Sequence, residues 1–407
     1  MLRCFSSKQT LTKVRTLNMR ARKLCHKLLS FTSIHKKRIA VISEVIETIL
    51  TSKSIAVTQI GRKLKNNSQT RSNIRKVDRL YSNQHLMYEG DIIAKELAKY
   101  LLRNERPLVA IDGSKIPNSP WYILSASLVV NGRGITLYEK IYESSNQRNP
   151  NLYKKFLLGL KSILPKTTVP ILITDAEFQR SWFEMVDNLG WDYIGRVRGD
   201  KYISINDEDF ESIHDIFECA SNKPKALGYG FLNVQQEYLG YFYLYKYKNK
   251  GRHAHTRTGC HSETEKSVRI AKSCHEPWLL FSSLDLPAKQ IIKAYAYRMT
   301  IEENFRDMKS GRYGLGLEMT YSKSKCRYKI MLILARLAAI IAYLIGYVGE
   351  IKGCERKFQS CSTRNKRMLS RFFLGCELIY KEWSFKWSEI KLATQMLQKE
   401  LYASFKA

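Results

Sequence analysis

The sequence predicts a mixed α/β (α+β) fold, and three observations carry that prediction. Residues 1–104 show helical spacing of apolar positions and no strand signal. From Pro107 onward, apolar runs of strand length alternate with helical segments, the grammar of a sheet with helices packed on it. Across residues 201–275 the helical period fades and side chains alternate instead, which predicts a strand-rich insertion. The domain organisation read from these shifts is a basic helical region at 1–104, a core at 105–200 and 276–350, the insertion at 201–275, and a helical C-terminus at 351–407.

Charge narrows the partner. The 407 residues carry 68 Lys and Arg against 37 Asp and Glu, a net charge of +31. Such an excess repels itself unless a polyanion neutralises it, so nucleic acid is the expected partner. Nine scattered cysteines without framework spacing suit reduced thiols of a cytoplasmic protein. The His253, His255, Cys260-His261 and Cys274-His275 group has no C-x-x-C knuckle, so it does not predict a structural zinc. Residues 1–43 hold eleven Lys or Arg and no acid, which reads as a basic DNA-touching arm more economically than as an organelle presequence. YKIMLILARLAAIIAYLIGYV, residues 328–348, is long enough to span a bilayer, but Arg336 at its middle makes it a buried core helix and no membrane partner is expected.

The elements follow in order. VTQIGRKLKNNSQTRSNIRKVDRLYSN, residues 57–83, reads as a short helix, a polar turn and a basic helix. Ile60, Leu64, Ile74, Val77 and Leu80 form its apolar side, and Arg71, Arg75, Lys76 and Arg79 face away as candidate DNA contacts. PLVAID (107–112) is a short strand ending on an acid. WYILSASLVV and GITLYEKIYE flank NGRG, a hairpin signal. A helix at 151–164, the strand VPILITD (169–175) ending on a second acid, a helix at about 178–189 and the strand WDYIGRV (191–197) complete the set. A three-strand meander followed by helix, strand, helix, strand is the ribonuclease H-like order. Tyr241, Tyr243, Tyr245 and Tyr247 share one strand face and are expected to pack rather than to stack on bases.

YAYRMTIEENFRDMKS, residues 295–310, predicts an amphipathic helix with an unusual polar stripe. At about 100° per residue, Tyr295, Arg298, Glu302 and Lys309 fall within about 60° of one another, while Glu303 points roughly 100° away. Tyr297, Ile301, Phe305 and Met308 make the apolar face. Taken alone the stripe could be a solvated face with Arg298–Glu302 and Glu302–Arg306 pairs. Asp112 and Asp175 change that reading. Acids at the carboxyl ends of strands converge on one sheet edge. Three bare carboxylates in a basic protein would repel one another, and hard oxygen ligands suit magnesium. Two such ions can clamp both oxygens of an in-line phosphoryl displacement.

The stripe matches Y-(2)-R-(3)-E-(6)-K, and with LGWDYIGRVRG, TLYEKIYE and IEENFRDMKSGRYGLGLE the chain resembles the DDE transposases of insertion-sequence family four, nearest to the transposon-ten type. The resemblance runs from about residue 40 to at least 375. It implies a ribonuclease H-like core whose catalytic and metal-binding triad is Asp112, Asp175 and Glu302, spaced 63 and 127 residues apart, the longer gap holding the insertion. It implies Mg2+, with Mn2+ as a substitute, and cut-and-paste transposition by nicking, hairpin formation and strand transfer. Arg298, Lys309 and Arg306 would hold phosphates and Tyr295 would orient the terminal strand. The implied partners are double-stranded DNA at the terminal inverted repeats and at the target, with a homodimer in the synaptic complex on a bacterial nucleoid. Two positions depart from the pattern: Gly113 follows the first acid and Met299 follows the signature Arg, where the transposon-ten and transposon-five types respectively have Trp. The rival readings are a non-cleaving DNA-binding descendant and another ribonuclease H-like nuclease.

Overall fold

A computed structural model describes residues 18–103, 106–234, 237–247, 263–265, 267–268, 271, 275–360 and 367–403. His253, His255, Cys260, His261 and Cys274 lie outside the described residues, as do residues 1–17 of the basic arm. A two-residue strand, β1 (Asn18–Met19), comes first and pairs with a strand near the C-terminus, which the sequence did not signal. Two residues carry too little pattern to register. Helices α1 (Ala21–Leu29), α2 (Lys36–Ser52), α3 (Val57–Lys63), α4 (Thr70–Tyr81) and α5 (Gln84–Leu101) follow. Ile60 and Val77 are fully buried where α3 and α4 meet, and Leu64 and Leu80 nearly so.

The core begins with β2 (Leu108–Lys115), β3 (Trp121–Val130) and β4 (Arg133–Glu143). Asn131 and Gly132 alone connect β3 to β4, with Gly132 at φ +76°, a left-handed turn that favours glycine. Then come α6 (Pro150–Ile163), β5 (Ile171–Thr174), α7 (Arg180–Asp187) and β6 (Asp192–Val197). The insertion supplies β7 (Tyr202–Ile205), β8 (Glu211–Ser212), α8 (Ile213–Glu218), β9 (Lys225–Leu232) and β10 (Tyr238–Tyr245). The chain returns through β11 (Trp278–Ser282), α9 (Ala288–Ala296), α10 (Thr300–Lys309), α11 (Lys325–Ile351), α12 (Arg371–Tyr380), β12 (Phe385–Lys386) and α13 (Trp387–Ala403).

One ten-stranded sheet runs β4-β3-β2-β5-β6-β11-β10-β9-β7-β8. Only the β2–β5 and β5–β6 pairs are parallel. The meander β2–β3–β4 followed by parallel β5 and β6 is the ribonuclease H-like core. The insertion strands lengthen that same sheet beyond β11 rather than folding apart from it. The central strands are apolar throughout because both faces are covered. Val109, Ile111 and Leu172 pack toward one core with Phe156 of α6 and Trp182 of α7. Leu108, Ala110, Ile171 and Ile173 pack toward a second, with Ile291 of α9 and Ile301 and Phe305 of α10. Tyr243 is buried in that second core, and Tyr241 and Tyr245 pack against it, so these aromatics of β10 are structural. Tyr243 also donates to the Leu284 carbonyl at 2.8 Å.

Helix α11 is long and apolar enough to cross a membrane, yet 94% of its most apolar window is buried inside the protein. Its mid-helix charge has local partners: Arg336 donates to the Leu137 carbonyl at 3.0 Å and the Gly90 carbonyl at 3.2 Å. Close approach to α12 depends on two glycines. A Cβ on Gly346 would lie 1.7 Å from the Arg371 carbonyl oxygen, and one on Gly375 1.8 Å from that of Ala342. All five cysteines described, Cys25, Cys219, Cys326, Cys354 and Cys376, are free.

Candidate active site

Strand register positions the two aspartates. In the β2–β5 pair the last matched residues are Ile111 and Thr174. One step further, Asp112 and Asp175 follow on the adjacent strands, close enough for Asp175 to act on the Asp112 carboxyl. The two-residue period puts both on the face of Ala110 and Ile173, which α9 and α10 cover. β2 does not end at its acid as expected: it continues to Lys115 because β3 still pairs with it, Ser125 opposite Asp112. What ends there is the pairing with β5. The Gly113 N–H donates to Asp112 at 2.7 Å, and the Glu177 N–H to Asp175 at 2.9 Å.

The striped segment is not one regular helix. A 3-10 turn at Tyr297–Met299 separates α9 from α10, so the stripe is spread over three elements. Its chemistry still converges. Arg298 donates to Asp112 at 3.3 Å and to Glu302 at 3.2 Å. Burial works against the charge on Arg298, but Tyr295, Asp112, Asp175 and Glu302 together raise its pKa. Burial pushes the Asp112 carboxyl up to about 7, and Asp175 and Glu302 add to the rise against Arg298. Lys309 donates to the Ser114 hydroxyl, two residues beyond Asp112 on β2. Burial pushes its ammonium down to about 8, against the attraction of Asp112.

Other expected residues are placed differently. Tyr295 is 4% exposed and packs edge-on against Trp278, so its phenol reaches Arg298 rather than the surface. Arg306 pairs with Glu303 instead of Glu302. Glu303 is also held by Arg133 at 2.8 Å, and Arg133 reaches Asp307 at 3.0 Å. Asn304 donates to Ser127 at 3.2 Å and to Thr136 at 2.5 Å. These contacts fix the rotation of α10 so that Glu302 and Glu303 face different partners. Arg71, Arg75 and Arg79 are exposed on α4, but Lys76 is half-buried and held by Glu44 at 2.6 Å. Among the described residues, no hydrogen bond or ion pair joins these four to Asp112, Asp175 or Glu302. Sequence reasoning missed Arg133, Ser114 and Asn304, whose roles come from the sheet lying under α10. Glu177, two residues after Asp175, was also missed although its D-A-E spacing was visible. An open cleft of about 940 Å3 runs beside Asp175, lined by Arg148, Glu177, Arg198 and His214.

The donor set suits a divalent cation in chemistry. Asp112 and Asp175 offer adjacent hard oxygens, and a cation would relieve the repulsion from Asp175 that adds to burial in raising the Asp112 carboxyl. Among the described residues, no three His, Cys, Asp or Glu side chains are grouped tightly enough to hold a metal together. Arg298 accounts for this, since its guanidinium joins Asp112 to Glu302.

No curated protein matches the chain in sequence. Among solved structures it is similar to the one described as the cryo-EM structure of the piggyBac transposase synaptic complex with hairpin DNA, at 12% identity and a TM-score of 0.44, over 96% of this chain and 86% of that one. A family model described as the transposase DDE domain matches residues 103–341, a span that holds Asp112, Asp175, Glu302 and the whole stripe. The chain therefore belongs to the DDE-domain transposases, enzymes of DNA transposition whose members use divalent metal ions.

Proposed function

We propose that this chain is a cut-and-paste transposase of insertion-sequence family four, of the transposon-ten type. Asp112, Asp175 and Glu302 are its catalytic and metal-binding triad. The observation that carries the reading is Arg298, a single guanidinium within electrostatic reach of all three acids and of Tyr295. Divalent magnesium, or manganese in its place, would supply charge neutralisation and activation of the attacking oxygen in an in-line displacement. Asp112 and Asp175 hold their oxygens ready from adjacent strands. Glu302 joins them by releasing Arg298, and the freed guanidinium then takes a phosphate oxygen in bidentate fashion. Lys309 contacts a second phosphate from beside Ser114. Tyr295 keeps Arg298 in place from below and does not touch the DNA strand itself.

The reaction sequence supported by this assignment is hydrolytic nicking at each transposon end, attack of the freed 3′-hydroxyl on the opposite strand to form a hairpin, reopening, and joining to target DNA. The net charge of +31 and the exposed Arg71, Arg75 and Arg79 support duplex binding outside the site. Arg306 contributes only through its outward face, since Glu303 engages it. Pairing of two ends calls for a homodimer, working on the bacterial nucleoid in the cytoplasm. The domain reading places end recognition in 1–104, chemistry in 105–200 with 276–350, and support in 201–275 and 351–407. The test is a cleavage assay on the terminal repeats flanking its own gene, with magnesium and with chelator. Site-specific nicks that require the metal are expected. A folded protein that binds those repeats and never nicks them would sink the enzymatic reading.

A further inference from the structure

A second cavity, of about 420 Å3, lies between the edge strand β4, α5 and α11. It belongs to a different part of the sheet from the carboxylates. Glu139 in its wall pairs across Ser125 with Asp112, two strands away or roughly 10 Å along the row. Much of its lining is apolar, contributed by Met87, Ile141, Leu332 and Ile333. Lys140, Lys325 and Lys329 line it as well, and none of the three has an ion-pair partner among the described residues. Burial pushes the Lys140 ammonium down, and Lys155, Lys329 and Lys325 repel it further, with Asp91 opposing them. Four ammonium groups thus share one neighbourhood with two acids, the exposed Asp91 and the less exposed Glu139.

Arg336, in the lining, carries an unmet hydrogen-bonding group. Arg336 is 6% exposed and uses two of its nitrogens on backbone carbonyls, but its Nε is buried with no partner. A buried donor left unpaired costs roughly 1–3 kcal/mol, which a bound acceptor would recover. Glu139 lies next to it and supplies an oxygen that can accept or donate. A site with cations on one side, apolar walls and a donor–acceptor pair within suits a ligand that is anionic at one end and a flat polar ring at the other. The cavity falls in the range of about 300–1,000 Å3 typical of small-molecule sites, several times what a lone phosphate fills.

We propose that this cavity binds a nucleotide unit, its phosphate held among Lys140, Lys325 and Lys329 and its base set against Met87, Ile141 and Ile333 with polar edges toward Arg336 and Glu139. This stands apart from the carboxylate assignment, and either can fail alone. The nucleotide can come free from solution or as an unpaired residue of a DNA strand, and the experiment separates the two. Cys326 lines the cavity and is exposed, while the exposed Cys219 lies elsewhere and serves as internal control.

Alkylation of the full chain by iodoacetamide, read at each cysteine by peptide mapping, is measured with deoxyadenosine monophosphate, inorganic phosphate, blunt duplex, or duplex carrying unpaired 5′ nucleotides. At about four times the dissociation constant, roughly fivefold slower labelling of Cys326 with Cys219 unchanged is expected from mass action. Protection by the monophosphate supports a free nucleotide, and protection by the overhang alone supports a strand. The Lys140→Gln, Lys329→Gln double variant, which leaves the carboxylate site intact, should lose the protection while staying folded by circular dichroism. No protection by either probe, equal protection by inorganic phosphate or blunt duplex, or protection unchanged in the double variant would each overturn the proposal.

Discussion

Two arginines in this protein each bridge carboxylates from different elements, and they do opposite things. Arg371 of α12 meets Glu350 at 2.7 and 3.1 Å and Glu400 at 2.6 and 2.8 Å, and lies 3.5 Å from the Tyr347 ring centroid. Burial opposes the charge on Glu400, but hydrogen bonds from Arg371 and Tyr347 draw its pKa down. Arg298 meets Asp112 and Glu302 through one longer contact each, and Asp112 is pushed up to about 7. The first arrangement is satisfied and ties α11, α12 and α13 together. The second leaves Asp112 buried beside a second acid with one long arginine contact, which stability alone does not favour and a cation would exploit.

That contrast can be broken most directly by removing one charged group from each centre. Asp112→Asn should lower DNA cleavage by roughly 10³-fold, since the lost charge stabilisation is several kcal/mol at about 1.36 kcal/mol per decade. Single-turnover nicking measures it, and retention of more than a tenth of the rate would remove Asp112 from the chemistry. Arg371→Ala should instead destabilise the fold by about 3–5 kcal/mol, because two carboxylates are left facing each other without a counter-ion. Urea unfolding reports this, and a near-neutral result would show that the centre is dispensable for folding.

A subtler effect sharpens the comparison. A carboxyl raised in the folded state binds protons more tightly there, so stability is lost as pH rises from the unfolded value near 4 to the folded value of about 7. In chelator, Asp112→Asn should therefore flatten the pH dependence of thermal unfolding across that window and gain on the order of a few kcal/mol at its upper end. Equal slopes for the variant and the parent would mean the charge excess is screened. The smallest effect is expected at Glu303→Gln, whose partner Arg133 holds the outer side of α10. Its half-exposed pair should contribute under about 1 kcal/mol to stability, and cleavage should change by only a few-fold. Loss as complete as in Glu302→Gln would mean that the two acids are not divided by the helix face.

Much of the core was legible because its signals are local. The strands of WYILSASLVV and GITLYEKIYE and the helix after Asn149 depend on apolar runs, a two-residue turn and a capping residue beside Pro150. The stripe was legible in composition but not in form. A 3-10 turn at Tyr297–Met299 tightens the winding there, and uniform helical arithmetic has no way to register that. Tyr295 looked available because it shares a helical stripe with Arg298, Glu302 and Lys309, yet Trp278 lies about 17 residues upstream and covers it only in three dimensions.

What the sequence determined by itself was the set of elements, the charge that calls for a polyanion, and the three acids with their spacing, since each is encoded in residue type and short-range period. Only the tertiary structure decided that Asp112 and Asp175 are neighbours, because that follows from a parallel register between strands some sixty residues apart. It alone decided that Arg298 joins Asp112 to Glu302, that Arg133 takes Glu303 aside, and that the Arg336 Nε is left over in a cavity beside three lysines. Pairing choices among distant charges depend on which side chains share a buried space, and chain order carries no measure of that distance.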